Sequence, residues 1–71
     1  MPRDYLIAYR KESGISATEM AEKLGLSESY YSLIENGKRQ KNMDITLAAL
    51  ISNVTGIPIQ RIVEIEKEGA S

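Results

Sequence analysis

SATEMAEKLGLSESYYSLIENG, Ser16 to Gly37, reads as two short capped helices and the turn between them. Ser16 followed by Glu19 is a capping box, in which the hydroxyl satisfies one orphan amide and the carboxylate reaches back to another, so a helix starts there. Met20, Ala21 and Leu24 then share one face. Gly25 takes the left-handed conformation that ends a helix. The Leu24-Gly25-Leu26 turn returns Leu26 toward the core, and Ser27 caps a second helix. Along it Tyr31 and Ile34 point inward, while Glu28, Ser29, Ser32 and Leu33 lie on the opposite or flanking faces. Leu33 is the odd member, apolar on a face that should be wet. Asn36-Gly37 stops the helix, with Gly37 expected at positive φ.

A helix-turn-helix of this size has one well-known use, holding its second helix out to lie in the major groove of DNA. The flanking sequence reads as support. A first helix is expected from about Arg3 to Lys11, with Pro2 suited to its start, Leu6, Tyr9 and Arg10 on one face, and an end near Ser13-Gly14. Asp44 is expected to cap a fourth helix running to about Thr55, with Ile45, Ala48, Ile51 and either Leu47 or Val54 facing in and Gly56 as its stop. A fifth begins around Pro58 and uses Ile59, Ile62 and Val63. No internal repeat, linker or usable strand pattern is present. The expectation is one domain over 1–66, an all-α compact five-helix bundle, with 67–71 a frayed tail that has nothing to bury.

At 71 residues a single core gives marginal stability unless the helices pack closely or the molecule oligomerises. The chain has no cysteine and no histidine, which removes disulfides, thiolate catalysis, the commonest metal ligands and the commonest general base. It is therefore read as a non-enzyme with no cofactor, no metal and no small-molecule substrate. No apolar run nears the roughly 20 residues that span a bilayer, and MPRDYL lacks the apolar region of a signal peptide. A soluble cytoplasmic protein without membrane contact is expected.

Nine Lys and Arg against ten Asp and Glu give a net charge of −1, whereas nucleic-acid binders are usually basic. Distribution offsets part of this, because Lys38, Arg39 and Lys41 cluster directly after the second helix of the motif. That run serves either as a backbone-gripping loop or as a plain solvated one.

From Leu6 to Val63 the chain resembles the five-helix Cro and CI repressor DNA-binding domain, the xenobiotic-response-element type with the lambda-repressor-like fold. The matching stretches are YRKESGIS, EMAEKLGLS, YYSLIENGKR and GIPIQRIV. The resemblance implies an internal ion pair between Arg10 and Glu35, linking the first helix to the end of the recognition helix 27–36. It implies that Ser27, Glu28, Ser29 and Leu33 reach base edges. Their chemistry limits what they read: Glu28 can accept from a cytosine amino group, Ser29 can bond to several bases, and Leu33 can cover a thymine methyl. Structural alternatives stand beside these roles, since Leu33 can instead pad a neighbour or partner protein and an acid such as Glu28 favours a helix N-terminus for its dipole alone. The resemblance also implies phosphate contacts by Asn36, Lys38, Arg39 and Lys41, and by the first-turn amides near Ser16 and Ala17. Tyr30 either reaches a phosphate or covers the surface with its ring. Ala17 departs from the family pattern, which usually places there a glutamine that grips phosphate and braces the first recognition residue. Weaker or differently aimed docking follows.

One such module buries only about 600–1,000 Å² on DNA, so specific binding usually takes two copies on a pseudo-palindrome. The resemblance puts the homodimer contact at the corner between the fourth and fifth helices, here Thr55, Ile57, Pro58, Ile59 and Arg61. A monomer with a covered fifth helix is the alternative. The functional expectation is a sequence-specific regulator of transcription, a repressor occupying a double-stranded DNA operator. A protein-interaction module of antitoxin or adaptor kind is the second reading, for which near-neutral charge, Ala17, Glu28 and exposed Leu33 are natural.

Overall fold

The computed structural model describes residues 2–69. They form five helices and, among the described residues, no strand: α1 (Asp4–Ser13), α2 (Ala17–Leu24), α3 (Glu28–Glu35), α4 (Ile45–Thr55) and α5 (Ile59–Gly69). The chain divides into two units, Met1–Arg39 and Gln40–Ser71, each with its own helix packing.

In the first unit the local signals act where they stand in the sequence. Both halves of the capping box are present, with the Glu19 amide donating to Ser16 Oγ at 3.1 Å and the Ser16 amide to Glu19 Oε1 at 3.2 Å. The end of α2 is a Schellman motif: Leu26 N–H donates to Ala21 O at 2.9 Å and Gly25 N–H to Glu22 O at 3.1 Å, with Gly25 at φ 72°. Ser27 caps α3 by accepting from the Tyr30 amide at 3.2 Å. α3 packs against both α1 and α2. Leu6, Met20, Ala21, Leu24, Tyr31 and Ile34 are the buried apolar side chains here, and Leu26 is half-buried. α1 starts at Asp4, with Arg3 as the capping position and Pro2 one residue before it.

The second unit opens on Gln40, whose φ of 56° is left-handed and whose Oε1 accepts from the Asp44 amide at 3.0 Å. Asp44 then caps α4, accepting from the Thr46 amide at 2.9 Å, and Gly56 ends it. The corner to α5 is held by side-chain oxygens. Thr55 Oγ1 donates to Ile51 O at 2.7 Å and accepts from the Ile57 amide at 3.2 Å, while Ser52 Oγ donates to Ile57 O at 2.6 Å. Pro58, the residue just before α5, accepts at its carbonyl from the amides of Arg61 and Ile62 and so starts the helix. Leu47, Ala48, Ile51 and Ile62 are buried.

Two expected core residues are outside. Ile45 is 75 % exposed and Val63 41 %. The buried arc of α4 centres on Ile51, and at about 100° per residue Ile45 falls about 120° round from it. Leu47 takes the inward place instead, with Val54 half-buried. Val63 stands about 100° past Ile62, on the outer side of half-buried Ile59, while half-buried Ile65 and Glu66 flank Ile62. The helix also runs further than expected. α5 runs to Gly69, so positions 67–69 of the expected frayed tail are helical, with Lys67 in the last turn suiting the helix dipole. Positions 70 and 71 lie outside the described residues. No single helix among the described residues is long and apolar enough to cross a membrane, and α4 and α5, which pass by length and composition as a pair, bend by 120° at their junction.

Candidate nucleic-acid interface

α3 has eight residues and is therefore about 12 Å long, short enough to lie across a major groove about 12 Å wide. Its inner face is Tyr31, Ile34 and Glu35. Its outer side carries Glu28, Ser29 and Ser32, all exposed, and Leu33, half-buried. Ser27 and Asn36, at its two ends, are exposed as well.

Behind α3 stands a polar cluster that fixes its angle. Arg10 on α1 grips the Glu35 carboxylate with both arms, Nε to Oε2 at 2.7 Å and Nη2 to Oε1 at 2.8 Å. The fully buried Tyr31 donates its hydroxyl to Glu35 Oε2, so three hydrogen bonds converge on one carboxylate. The hydrogen bonds from Arg10 hold the Glu35 carboxyl below the usual glutamate range, with Tyr31 acting in the same direction and burial opposing both. The same contact raises Arg10 further above its already high ordinary value. Burial first, then the Glu35 carboxylate, holds the Tyr31 phenol well above its usual range. The cluster is charged at every physiological pH and acts as a rigid brace.

At the forward end of the motif, the Thr18 hydroxyl donates to the Glu28 carboxylate and ties the first turn of α2 to the first turn of α3. Glu28 therefore meets any ligand already engaged, with one oxygen committed to Thr18. The capping box likewise occupies the Ser16 amide, and Glu19 must turn away before a phosphate can take its place. Ala17 and Tyr30 are half-buried. Asn36 folds its Nδ2 back onto Ser32 O at 2.9 Å. Directly beyond α3, Lys38 and Arg39 are exposed on a turn whose amides donate to Leu33 O at 2.8 and 3.2 Å. Lys41 is also exposed, in the second unit. Ser27, Glu28, Ser29, Leu33, Asn36, Lys38 and Arg39 are thus gathered along α3 and the turn after it, and Ser16 and Ala17 stand at the start of α2.

Three participants escape sequence reasoning: Thr18 as the partner of Glu28, Tyr31 as the third member of the Glu35 cluster, and Arg3, which is 8 % exposed beneath the end of α3. Tyr31 reads simply as an apolar inward residue, although its i, i+4 spacing to Glu35 is a usable signal. Arg3 has no local signal at all.

In the second unit, Thr55, Ile57 and Ile59 are half-buried and Pro58 and Arg61 exposed, Arg61 facing Glu64 at 3.7 Å. The exposed large apolar side chains of that unit are Ile45, Leu50 and Val63, and Ile45 and Val63 line, with half-buried Met43 and buried Ala48 and Ile62, a groove of about 260 Å³. Among the described residues no group of three or more acidic side chains stands close enough to hold a metal ion.

A helix braced from behind, a capped helix before it and an outward polar side define a helix-turn-helix protein, and the chain belongs to that family in its Cro/CI form: the helix-turn-helix family model matches residues 6–62. Among curated relatives it is similar to the HTH-type transcriptional regulator SinR of Bacillus subtilis (strain 168) and to that of Bacillus licheniformis. Each is 37 % identical over 60 residues, covering 84 % of this chain and 53 % of the relative. The chain thus spans about half the length of the curated relatives it matches. No solved structure matches it.

Proposed function

We propose that this protein is a sequence-specific double-stranded DNA-binding regulator of transcription, a repressor that covers a pseudo-palindromic operator as a homodimer. One observation carries the reading: α3 is held from behind by Arg10, Tyr31 and Glu35 and leaves Glu28, Ser29, Ser32 and Leu33 outward, with Lys38 and Arg39 at its end. Ser27, Glu28, Ser29 and Leu33 read base edges. Ser16, Ala17, Tyr30, Asn36, Lys38, Arg39 and Lys41 hold the sugar-phosphate backbone. The likeness to the SinR regulators supports the same direction. Two copies meet at Thr55, Ile57, Pro58, Ile59 and Arg61, and dimers of this class read two half-sites about 34–36 Å apart on the duplex. The protein works in the cytoplasm, on the nucleoid when bound, and the reading contains no catalytic step.

The second reading, a protein-interaction module on the same fold, is favoured by the net charge of −1 and by Glu28 held at the front of α3. Salt separates the two. Contacts to about four to eight phosphates weaken steeply between roughly 50 and 200 mM salt, whereas an apolar protein contact hardly responds. Selection from random duplex DNA at near-physiological salt is the deciding experiment. Recovery of a two-fold-related motif is expected, and failure to enrich any motif rejects the operator reading.

A further inference from the structure

α3 ends without a cation of its own. Its last turn carries no basic residue, although the C-terminal end of a helix leaves four carbonyls open and bears partial negative charge. All four carbonyls are nevertheless engaged. Ser32 O accepts from the Asn36 amide and from Asn36 Nδ2, and Leu33 O from the amides of Lys38 and Arg39. Ile34 O accepts from the Gly37 amide at 3.0 Å and from Arg3 Nη1 at 2.6 Å, and Glu35 O from the Arg3 amide at 2.7 Å. The missing cation therefore comes from 31 residues upstream. The same Nη1 donates to Arg39 O at 3.0 Å, so one guanidinium nitrogen joins the end of α3 to the far side of the basic turn.

We infer that Arg3 is a positioning residue for the phosphate-gripping turn: its buried guanidinium locks the backbone of Lys38 and Arg39 to the end of α3, so that their side chains project from a fixed frame. The inference rests on the DNA reading above for the purpose of the turn, though not for the lock itself. Arg39 is held at both its amide, by Leu33 O, and its carbonyl, by Arg3. A turn ordered before docking loses less conformational freedom on docking than one that must be ordered by the ligand. The charge is also well used. A buried guanidinium without acceptors is costly, and here it meets two carbonyls, one of them at the negative end of a helix.

The test compares the whole chain with Arg3→Met, which keeps an apolar stem, and Arg3→Lys, which keeps the charge without the planar fork. Amide hydrogen exchange in the free protein comes first. In Arg3→Met the Lys38 and Arg39 amides are expected to exchange about tenfold faster or more, while the Tyr31 amide keeps its protection. On a selected duplex, the slope of log affinity against log salt is expected to become shallower by about 0.9 for each phosphate no longer neutralised, with unchanged discrimination between preferred and scrambled sequence. Arg3→Lys is expected to fall between. Unchanged exchange at Lys38 and Arg39 overturns the lock, and faster exchange with an unchanged salt slope overturns its role in positioning. Should Arg3→Met fail to fold, the same two readouts on Arg3→Lys decide by the same criteria. A wild-type chain that binds no duplex rejects the DNA reading, and the exchange measurement then decides the lock by itself.

Discussion

At Glu35 three hydrogen bonds meet on a carboxylate whose side chain is 11 % exposed, while the Arg10 side chain that pairs with it is 20 % exposed. Removing one member of a buried pair strands the other, at about 3–5 kcal/mol when burial is complete, and the partial exposure of Arg10 places Arg10→Met near the lower end, about 3 kcal/mol. Urea denaturation measures it directly. Arg10→Met combined with Glu35→Leu is expected to lose less than the two single changes added, because no charge is then left alone. The cluster also shapes the pH response. The folded state holds Glu35 below its ordinary 4.5, so its contribution is complete above that value and lost as pH falls through the folded one. Tyr31 has the opposite sign: raised above its ordinary 10.0, it stabilises below that pH and loses the contribution as pH rises. Denaturation midpoints measured across pH are expected to decline less on the acid side in Glu35→Gln, and less on the alkaline side in Tyr31→Phe.

The helices are set by short-range chemistry where one residue suffices. Gly25 is the clearest case, because a Cβ there would meet nothing within 4 Å, yet its φ of +72° is left-handed. Gly25→Ala is accordingly expected to cost about 1–2 kcal/mol through backbone conformation alone, read as a lowered urea midpoint without change in the slope. Signals of this local kind were legible in the chain: Ser16 with Glu19, Gly25, Ser27, Gly37, Asp44 and Gly56 each act at their expected place. What was not legible depends on residues distant in sequence or on small rotations. Ile45 and Val63 fit an apolar stripe by spacing and miss the buried arc by about a third of a turn. Lys67 lies in the last turn of α5, in a segment whose composition suggests nothing to hold it. The outer face of α3 could be read from spacing, whereas Arg3 under the end of α3 and Thr18 on Glu28 could not, since neither pair has a sequence interval that signals contact.

For the molecule as a whole, a net charge of −1 leaves little general attraction to DNA, so affinity must come from local contacts. Lys38→Ala is expected to weaken binding to all sequences alike and flatten the salt slope by about 0.9, while Leu33→Ala is expected to relax preference at one or two base positions and leave the slope unchanged. Competition binding against preferred and altered duplexes distinguishes them. Ile59→Asp, at the proposed meeting surface, is expected to abolish joint occupancy of two half-sites while single half-site binding persists, as gel-shift stoichiometry will report. All of these rest on α3 entering the groove with its outer side foremost. The most direct measurement is the change in backbone amide NMR shifts when a selected duplex is added to the protein. The largest changes are expected at Glu28, Ser29, Ser32, Leu33, Lys38 and Arg39; changes confined to other parts of the chain, with α3 unaffected, would contradict the account.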